Sequence, residues 1–400
     1  MAHIHLAWEM GGGMGHAGRL KALARVLLAR GHRVSLSLRD LGHTQRVLAD
    51  LPVPRLQAPV WLHRTEGMPA NEASLAEILL AKGYLEVPGL AGLVAGWRAL
   101  FDALEPDLVV ADYAPTALLA ARTLHLPTSS VGTGFTSPPA DRALPCLRDW
   151  EEVGHQRLAR AEAHVLNVVN AVLEMHGAPE LLHAARLLLG DAPLLCTWPE
   201  FDHYGRAAGE AEWLGPVGMP LGGGAPAWPP GSGPRVFAYL KHDYPQHRAV
   251  LEALADEGCR VLCYLPEVAA GRPAPVSSAR IAYSSQPVAL EAALHGAVLC
   301  VCHASEATTV QALLCGVPVL MLPMRLEHFL VARRVESWGG GINGARVKPD
   351  GDWRGLVRLL LDDERFRSAA AAFAHRRGDR TALERAERVV DAFEDQMRQA

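Results

Sequence analysis

The chain has 400 residues, half of them hydrophobic, and a formal net charge of −4 with acidic and basic residues mixed throughout. That length suggests two domains, each with its own core, and the charge balance excludes the strong basic bias of a protein built to bind nucleic acid or an anionic membrane surface. The N-terminus, Met-Ala-His-Ile-His-Leu-Ala, lacks the basic-then-apolar order of a signal segment, and Pro, Gly or charge breaks the apolar stretches before about 18 residues, so a soluble, cytoplasmic protein without stable membrane insertion is expected.

Residues 4–8 read as a first strand, followed by the loop Gly11-Gly12-Gly13-Met14-Gly15 and a helix from about His16. Leu20, Leu23, Ala24, Leu27 and Leu28 recur on one face at helical spacing, Gly31 ends the helix, and residues 33–38 form the next strand of a βαβ opening. Gly13, Gly15 and Gly18 match the Gly-x-Gly-x-x-Gly spacing of a dinucleotide site, and Asp40 stands where a ribose-binding acid would. An NAD-type site is one reading; glycines that only ease packing at a strand-to-helix turn are the other. His16 lies in a helix's first turn outside a strand's carboxyl end, where open α/β sheets bind ligands, or it is a first-turn histidine with no chemical role.

Residues 53–60 form a possible strand that Pro54 and Pro59 confine to an edge, and residues 73–104 carry Ala/Leu helical patterns interrupted by Gly83 and Pro88. A short buried strand then ends in Asp112, before a small-residue helix from about Pro115, a strand over 127–131, a helical pattern over 147–176 and a strand over 193–198. Asp112 can orient a histidine on a neighbouring loop or cap the helix that follows.

The uncharged Gly/Pro-rich segment 215–234 is the clearest linker. Beyond it come a strand over 235–240, a helix over about 246–257, strands over 260–265 and 280–282, a helix over 287–295 and a strand over 297–301. Residues 303–333 follow as a polar turn, a helix, a Gly-Val-Pro strand and a second helix. Free N–H groups at that turn suit a phosphate, or the turn merely caps a helix. The last segment, 381–397, is a charged amphipathic helix with Leu383, Ala386, Val389, Val390 and Phe393 on one side.

Seven cysteines, odd in number and without Cys-x-x-Cys spacing, read as buried thiols in a reducing compartment. The eighteen histidines mostly sit singly with no His-Glu-x-x-His, so no metal is expected. The two α/β runs predict an α/β protein of two doubly wound Rossmann-like domains facing across a cleft. The boundaries expected are 1–215, a 216–234 linker, 235–380, and a 381–400 helix packing back across the domains.

With both halves read, the run of Tyr283-Ser284-Ser285-Gln286, His303, Thr308, Gln311, Gly316-Val317-Pro318, Pro323 and Glu327-His328 resembles the signature of a family-1, UDP-glycosyltransferase-like enzyme of the GT-B fold, of the bacterial natural-product and macrolide glycosyltransferase type. Tyr283-Ser284-Ser285-Gln286 is similar to the plant signature's Trp-x-Pro-Gln, with an aromatic ring to stack on a base. From His303 the signature continues without a gap: His303, Thr308 in the hydroxyl place, Gln311 in the place of the ribose-binding acid, Gly316-Val317-Pro318, Pro323 and Glu327-His328. The resemblance implies that His303 and the turn carrying Ser305, Thr308 and Thr309 hold a diphosphate, that Tyr283 and Gln286 meet the base end of the donor, that Gln311 bonds the ribose, and that Glu327 and His328 read sugar hydroxyls. In the N-terminal half, the family's Gly-His before the first helix matches His16, the implied general base, and its Val-x-Asp strand end matches Asp112, the implied partner. This demotes the NAD reading.

The resemblance also implies the reaction: metal-independent, inverting transfer of a sugar from a UDP- or dTDP-linked donor to a hydroxyl of a small, apolar acceptor. The nucleotide sugar is a co-substrate and no cofactor is implied. Segments 60–100 and 132–180 are expected to line the acceptor pocket. Several positions depart from the family: Ala304-Ser305-Glu306-Ala307 replaces a glycine-rich turn, Gln311 an acid and His328 a glutamine, and Lys241-His242 stands where Gly-Ser or Gly-Thr is usual. These departures favour an alternative, a non-catalytic binding or helper protein with an eroded donor loop. A sugar-nucleotide epimerase of the same fold is a further alternative.

Overall fold

Each half of the chain is organised on six parallel strands in a computed structural model that describes residues 1–207, 209–218, 222–348 and 351–399. The first half contributes β1 (His3–Trp8), β2 (Arg33–Leu38), β3 (Arg55–Gln57), β4 (Leu108–Asp112), β5 (Thr128–Gly132) and β6 (Ala192–Leu195). They lie in the order β3-β2-β1-β4-β5-β6. Both central strands are buried along their whole length, as parallel strands covered on two faces must be. The register pairs Ile4 with Leu108 and ends by pairing Trp8 with Asp112, so the strand order reverses between β1 and β4 with these two residues at the carboxyl edge. β3 is short and at the sheet edge, where its flanking prolines cost no ladder hydrogen bonds.

The second half repeats the plan with β7 (Arg235–Tyr239), β8 (Arg260–Tyr264), β9 (Ile281–Tyr283), β10 (Leu299–Cys302), β11 (Val319–Met321) and β12 (Gly341–Asn343). Their order, β12-β11-β10-β7-β8-β9, is the first sheet's order read from the other edge, and its reversal lies between β7 and β10. Contacts divide the chain into Met1–Met219 with Ala382–Ala400, and Pro220–Thr381.

The terminal helix Ala382–Gln399 packs on the helix Met14–Ala29 of the first unit through Ala386, Val389, Val390 and Phe393, all fully buried. Arg30 joins Asp391 and Glu394, and His32 joins Glu394, across the edge of this contact. Leu383, expected on the packed face, is 56% exposed because it lies in the helix's first turn, ahead of that face.

Other expectations shift with local chemistry. The helix expected over 147–176 begins only at His155, after Gly154. Residues 219–221 of the expected linker lie outside the described residues, but Gly224 accepts from Ala289 N–H at 2.8 Å and donates to Pro287 at 2.9 Å. This pairing holds 287–289 extended, so the helix there starts at Leu290. It also needs glycine: a Cβ on Gly223 would lie 2.3 Å from the Val288 carbonyl carbon. The helix Val87–Leu104 has the length and apolarity of a membrane span, the only one among the described residues that does, although the sequence led to the expectation of none. Leu90, Val94, Trp97 and Phe101 are buried on one of its faces, as on an amphipathic core helix.

Candidate active site

In the first unit, Trp8 ends β1 and its indole N–H donates to the Met10 carbonyl at 2.6 Å, while Met10 N–H donates to Tyr113 O at 2.9 Å. These bonds tie the loop after β1 to the loop after β4. His16, in the first turn of the Met14–Ala29 helix, stacks on Trp8 with centroids 5.0 Å apart and planes 18° apart. Its Nδ1 lies 3.0 Å from Asp112 Oδ1. An ionised carboxylate accepts only, so Nδ1 carries the proton and Nε2 is left as the basic nitrogen.

Asp112 is fully buried and does not cap the next helix, whose N-cap is Ala114 without a side-chain bond. Burial alone would raise its pKa, but the charges of Arg19 and then His16 outweigh it and hold the carboxyl below its ordinary range. Arg19 Nη1 donates to the same Oδ1 at 2.7 Å. The sequence reading passed over Arg19, although its i, i+3 offset from His16 puts both on one helix face.

Gly11 completes the arrangement. Its φ is +78°, and a Cβ there would sit 2.6 Å from His16 Nε2. The histidine ring thus packs against the glycine loop at Gly11, and Asp40 is used as the N-cap of helix Leu41–Leu48, accepting from His43 N–H at 2.8 Å. Beneath the loop, Glu9 is fully buried and accepts from Thr116 N–H at 2.9 Å and Thr116 Oγ1 at 2.5 Å; Tyr84 donates to that hydroxyl at 2.7 Å. Burial, only partly offset by these bonds, raises the Glu9 pKa to about 7. This network had no signal in sequence spacing.

In the second unit, β10 delivers His303 beside the end of β7. Nε2 of His303 accepts from Lys241 N–H at 2.8 Å, so Nδ1 carries the proton and donates to Leu322 O at 2.7 Å. Both ring nitrogens are therefore taken by main chain, and direct phosphate bonding by this ring, expected from the resemblance, is not available in this arrangement. Burial lowers the His303 pKa. The following turn is strained: Ala304, a residue with a Cβ, takes φ +58°.

Helix Glu306–Leu314 starts with Ser305 as N-cap, but the serine hydroxyl donates to Thr308 Oγ1 at 3.1 Å and makes no cap bond. The Ser305 side chain therefore leaves the first-turn amides, the positive end of the helix, without a cap bond from the N-cap residue. The helix Leu326–Ser337 likewise begins without a side-chain cap. Thr309, expected at the donor, is fully buried; its hydroxyl faces Cys302 Sγ at 3.7 Å and its N–H bonds Ser305 O, so it faces away from any ligand at the turn. Gln311, Glu327 and His328 are half-buried around these helix starts. Burial first, then the charge of Arg325, lowers the His328 pKa to about 4.

At the base end, Tyr283 is half-buried and anchored by its hydroxyl to Val276 O at 2.9 Å, and Gln286 is exposed beside Gly224. No group of three potential metal ligands occurs among the described residues. An Asp-x-Asp sequence, Asp350-Gly351-Asp352, does occur, against the expectation that none is present; Asp352 N-caps the helix Trp353–Asp362 and Asp350 lies outside the described residues.

Two parallel sheets in this strand order, each with a helix start at its reversal, define the GT-B glycosyltransferase fold, and solved structures agree. A kitacinnamycin glycosyltransferase superposes with a TM-score of 0.71 at 18% identity, covering 99% of this chain and 98% of its own. The spinosyn rhamnosyltransferase SpnG, complexed with thymidine diphosphate, gives 0.66 at 20%, covering 98% and 99%. No family model matches the chain.

In sequence, the chain is similar to a PGL/p-HBAD biosynthesis rhamnosyltransferase of Mycobacterium bovis, 29% identical over 295 residues, which are 69% of this chain and 64% of the relative. It is also similar to a PGL/p-HBAD biosynthesis glycosyltransferase of Mycobacterium tuberculosis, 26% identical over 349 residues, 82% and 78% of the two chains. The match thus spans just under two thirds of the first curated relatives. The GT-B fold and the resemblance to family-1-like glycosyltransferases stand on these findings together.

Proposed function

We propose that the protein is an inverting glycosyltransferase that moves a sugar from a UDP- or dTDP-linked donor to a hydroxyl of a small, apolar acceptor. The observation that carries this reading is the His16–Asp112 pair, with Nε2 left unprotonated beside the glycine loop. His16 Nε2 takes the acceptor hydroxyl's proton as the oxygen attacks the anomeric carbon, and Asp112 stabilises the imidazolium that forms. The nucleoside diphosphate leaves from the opposite face, which inverts the anomeric centre.

The leaving group gains about −1 charge as the bond breaks, and the amides at the start of Glu306–Leu314, left without a bond from the Ser305 side chain, supply its stabilisation, with the Thr308 hydroxyl, which accepts from Ser305, as a donor. Such a helix end contributes up to ~2 kcal/mol in a partly buried setting. Lys241, close enough to His303 and His328 to influence their protonation, adds a cation on the same side. Tyr283 offers a ring to the base, and Gln311, Glu327 and His328 offer polar groups to ribose and sugar. The relatives named as rhamnosyltransferases, one of them recorded with thymidine diphosphate, favour a deoxythymidine-linked donor over a uridine-linked one.

A second reading, a helper protein that keeps the fold without turnover, is favoured by the strained Ala304 turn and by His303 being held by main chain. Calorimetry with dTDP and UDP separates the two. The transferase binds at least one of them, and the absence of heat from both at millimolar nucleotide would remove it.

A further inference from the structure

Asp112 receives two donors at a single oxygen: Arg19 Nη1 at 2.7 Å and His16 Nδ1 at 3.0 Å, while its Oδ2 has no partner among the described residues. The carboxylate is fully buried and the Arg19 side chain is 9% exposed, so bulk water screens neither charge well. Arg19 is one turn beyond His16 on the same helix, and that helix is pinned by its fully buried Leu20, Leu23 and Leu27. The guanidinium is thus fixed relative to the ring by the same element that presents it.

Charge counting then decides what the arginine does. A buried carboxylate with only a neutral imidazole beside it is a net negative site, and such a site gains stability by taking up a proton on the imidazole. A protonated imidazole cannot accept a proton from an acceptor hydroxyl. With Arg19 in place the charge of the carboxylate is partly offset by a group that stays charged at every working pH, leaving enough to steady the imidazolium formed in the transfer step. The other titratable groups nearby are turned elsewhere: Glu9 bonds Thr116, and Tyr113 presents its ring edge towards Gly11.

We infer that Arg19 is a positioning residue that partly offsets the charge of Asp112, so that the carboxylate orients His16 without drawing it into the protonated state. This rests on the reading of His16 as the base, but its test is made without substrate. In full-length protein labelled with ¹⁵N-histidine, the His16 ring is assigned by its absence in His16→Ala and titrated by NMR in the parent, Arg19→Met and Arg19→Lys.

The inference predicts that Arg19→Met raises the His16 midpoint by about one unit or more. Arg19→Lys, which keeps the charge, restores it towards the parent. Should the Met variant fail to fold, Arg19→Gln carries the same comparison. An unchanged midpoint in a folded variant overturns the inference, as does a Lys variant that behaves like the Met variant. Transfer assays add a second arm: on the acid side of the midpoint Arg19→Met loses kcat by the factor the midpoint shift sets, about 10-fold for one unit, and recovers as pH rises, whereas a purely structural role lowers activity alike at every pH. If the midpoint moves but His16→Ala retains full transfer, the reading of the base fails and the electrostatic inference stands.

Discussion

The Lys241 backbone N–H donates to Nε2 of His303 at 2.8 Å, and this bond joins the end of β7 to the end of β10 at the point where the second sheet reverses order. With Nδ1 donating to Leu322 O, the imidazole bridges the loops after three adjacent strands. Its contribution to a donor is the shape of the turn that follows it.

Removing that bridge has a predictable cost. His303→Leu leaves the Lys241 N–H and the Leu322 carbonyl without partners in a partly dry site, which destabilises the fold by about 1–3 kcal/mol. Urea denaturation reads this directly. His303→Leu should also weaken nucleotide binding, because the turn loses its anchor; unchanged nucleotide affinity in a folded variant would show that the turn holds its form without the ring.

His328 and Glu9 set pH dependences of opposite sign. Burial lowers the His328 pKa from 6.5 to about 4, so the unfolded chain binds more protons there and this contribution to stability is lost as pH falls from about 6.5 towards 4. His328→Leu should flatten the decline between pH 7 and pH 5 in urea titrations.

Burial raises Glu9 from 4.5 to about 7, so here the folded chain binds more protons and stability falls as pH rises from 4.5 through 7. The full swing from this one group is at most on the order of 3 kcal/mol. Glu9→Gln keeps the shape and cannot ionise, so its stability should exceed the parent's at pH 8 and approach it near pH 5. A parent and variant with parallel curves would mean that Glu9 ionises in the fold as readily as in the unfolded chain.

Gly11→Ala puts a Cβ 2.6 Å from His16 Nε2 at a residue with φ +78°. The backbone penalty is about 1 kcal/mol, yet displacing the basic nitrogen by even 1 Å costs catalysis on the order of 100-fold. Activity should therefore fall much further than stability, measured as kcat beside the urea midpoint.

Much of the fold was legible because buried parallel strands leave continuous apolar runs, and β1, β2, β4 and β7 stood out for that reason. The His16–Asp112 relation was legible in part, since Asp112 ends a strand and His16 lies in the first turn of the helix that follows another strand's loop. What sequence could not give was the competition for each polar atom. Thr309 and His303 match a donor motif by position, but the burial of one and the main-chain partners of the other depend on where Cys302, Lys241 and Leu322 come to lie. Arg19 was missed because its pairing with Asp112 spans 93 positions, and the only local sign of it was its place three residues after His16 on the same helix. The Gly224 pairing was missed because a Gly/Pro-rich stretch reads as a tether until another extended segment, here 287–289, bonds to it.

Sugar transfer from a panel of dTDP- and UDP-hexoses to hydroxylated acceptors, compared between the parent, His16→Ala and Asp112→Asn, tests the central claim most directly. Transfer with inverted anomeric configuration is expected in the parent, with a loss of kcat on the order of 100-fold or more in both variants and nucleotide affinity kept. Full turnover in both variants would contradict that claim.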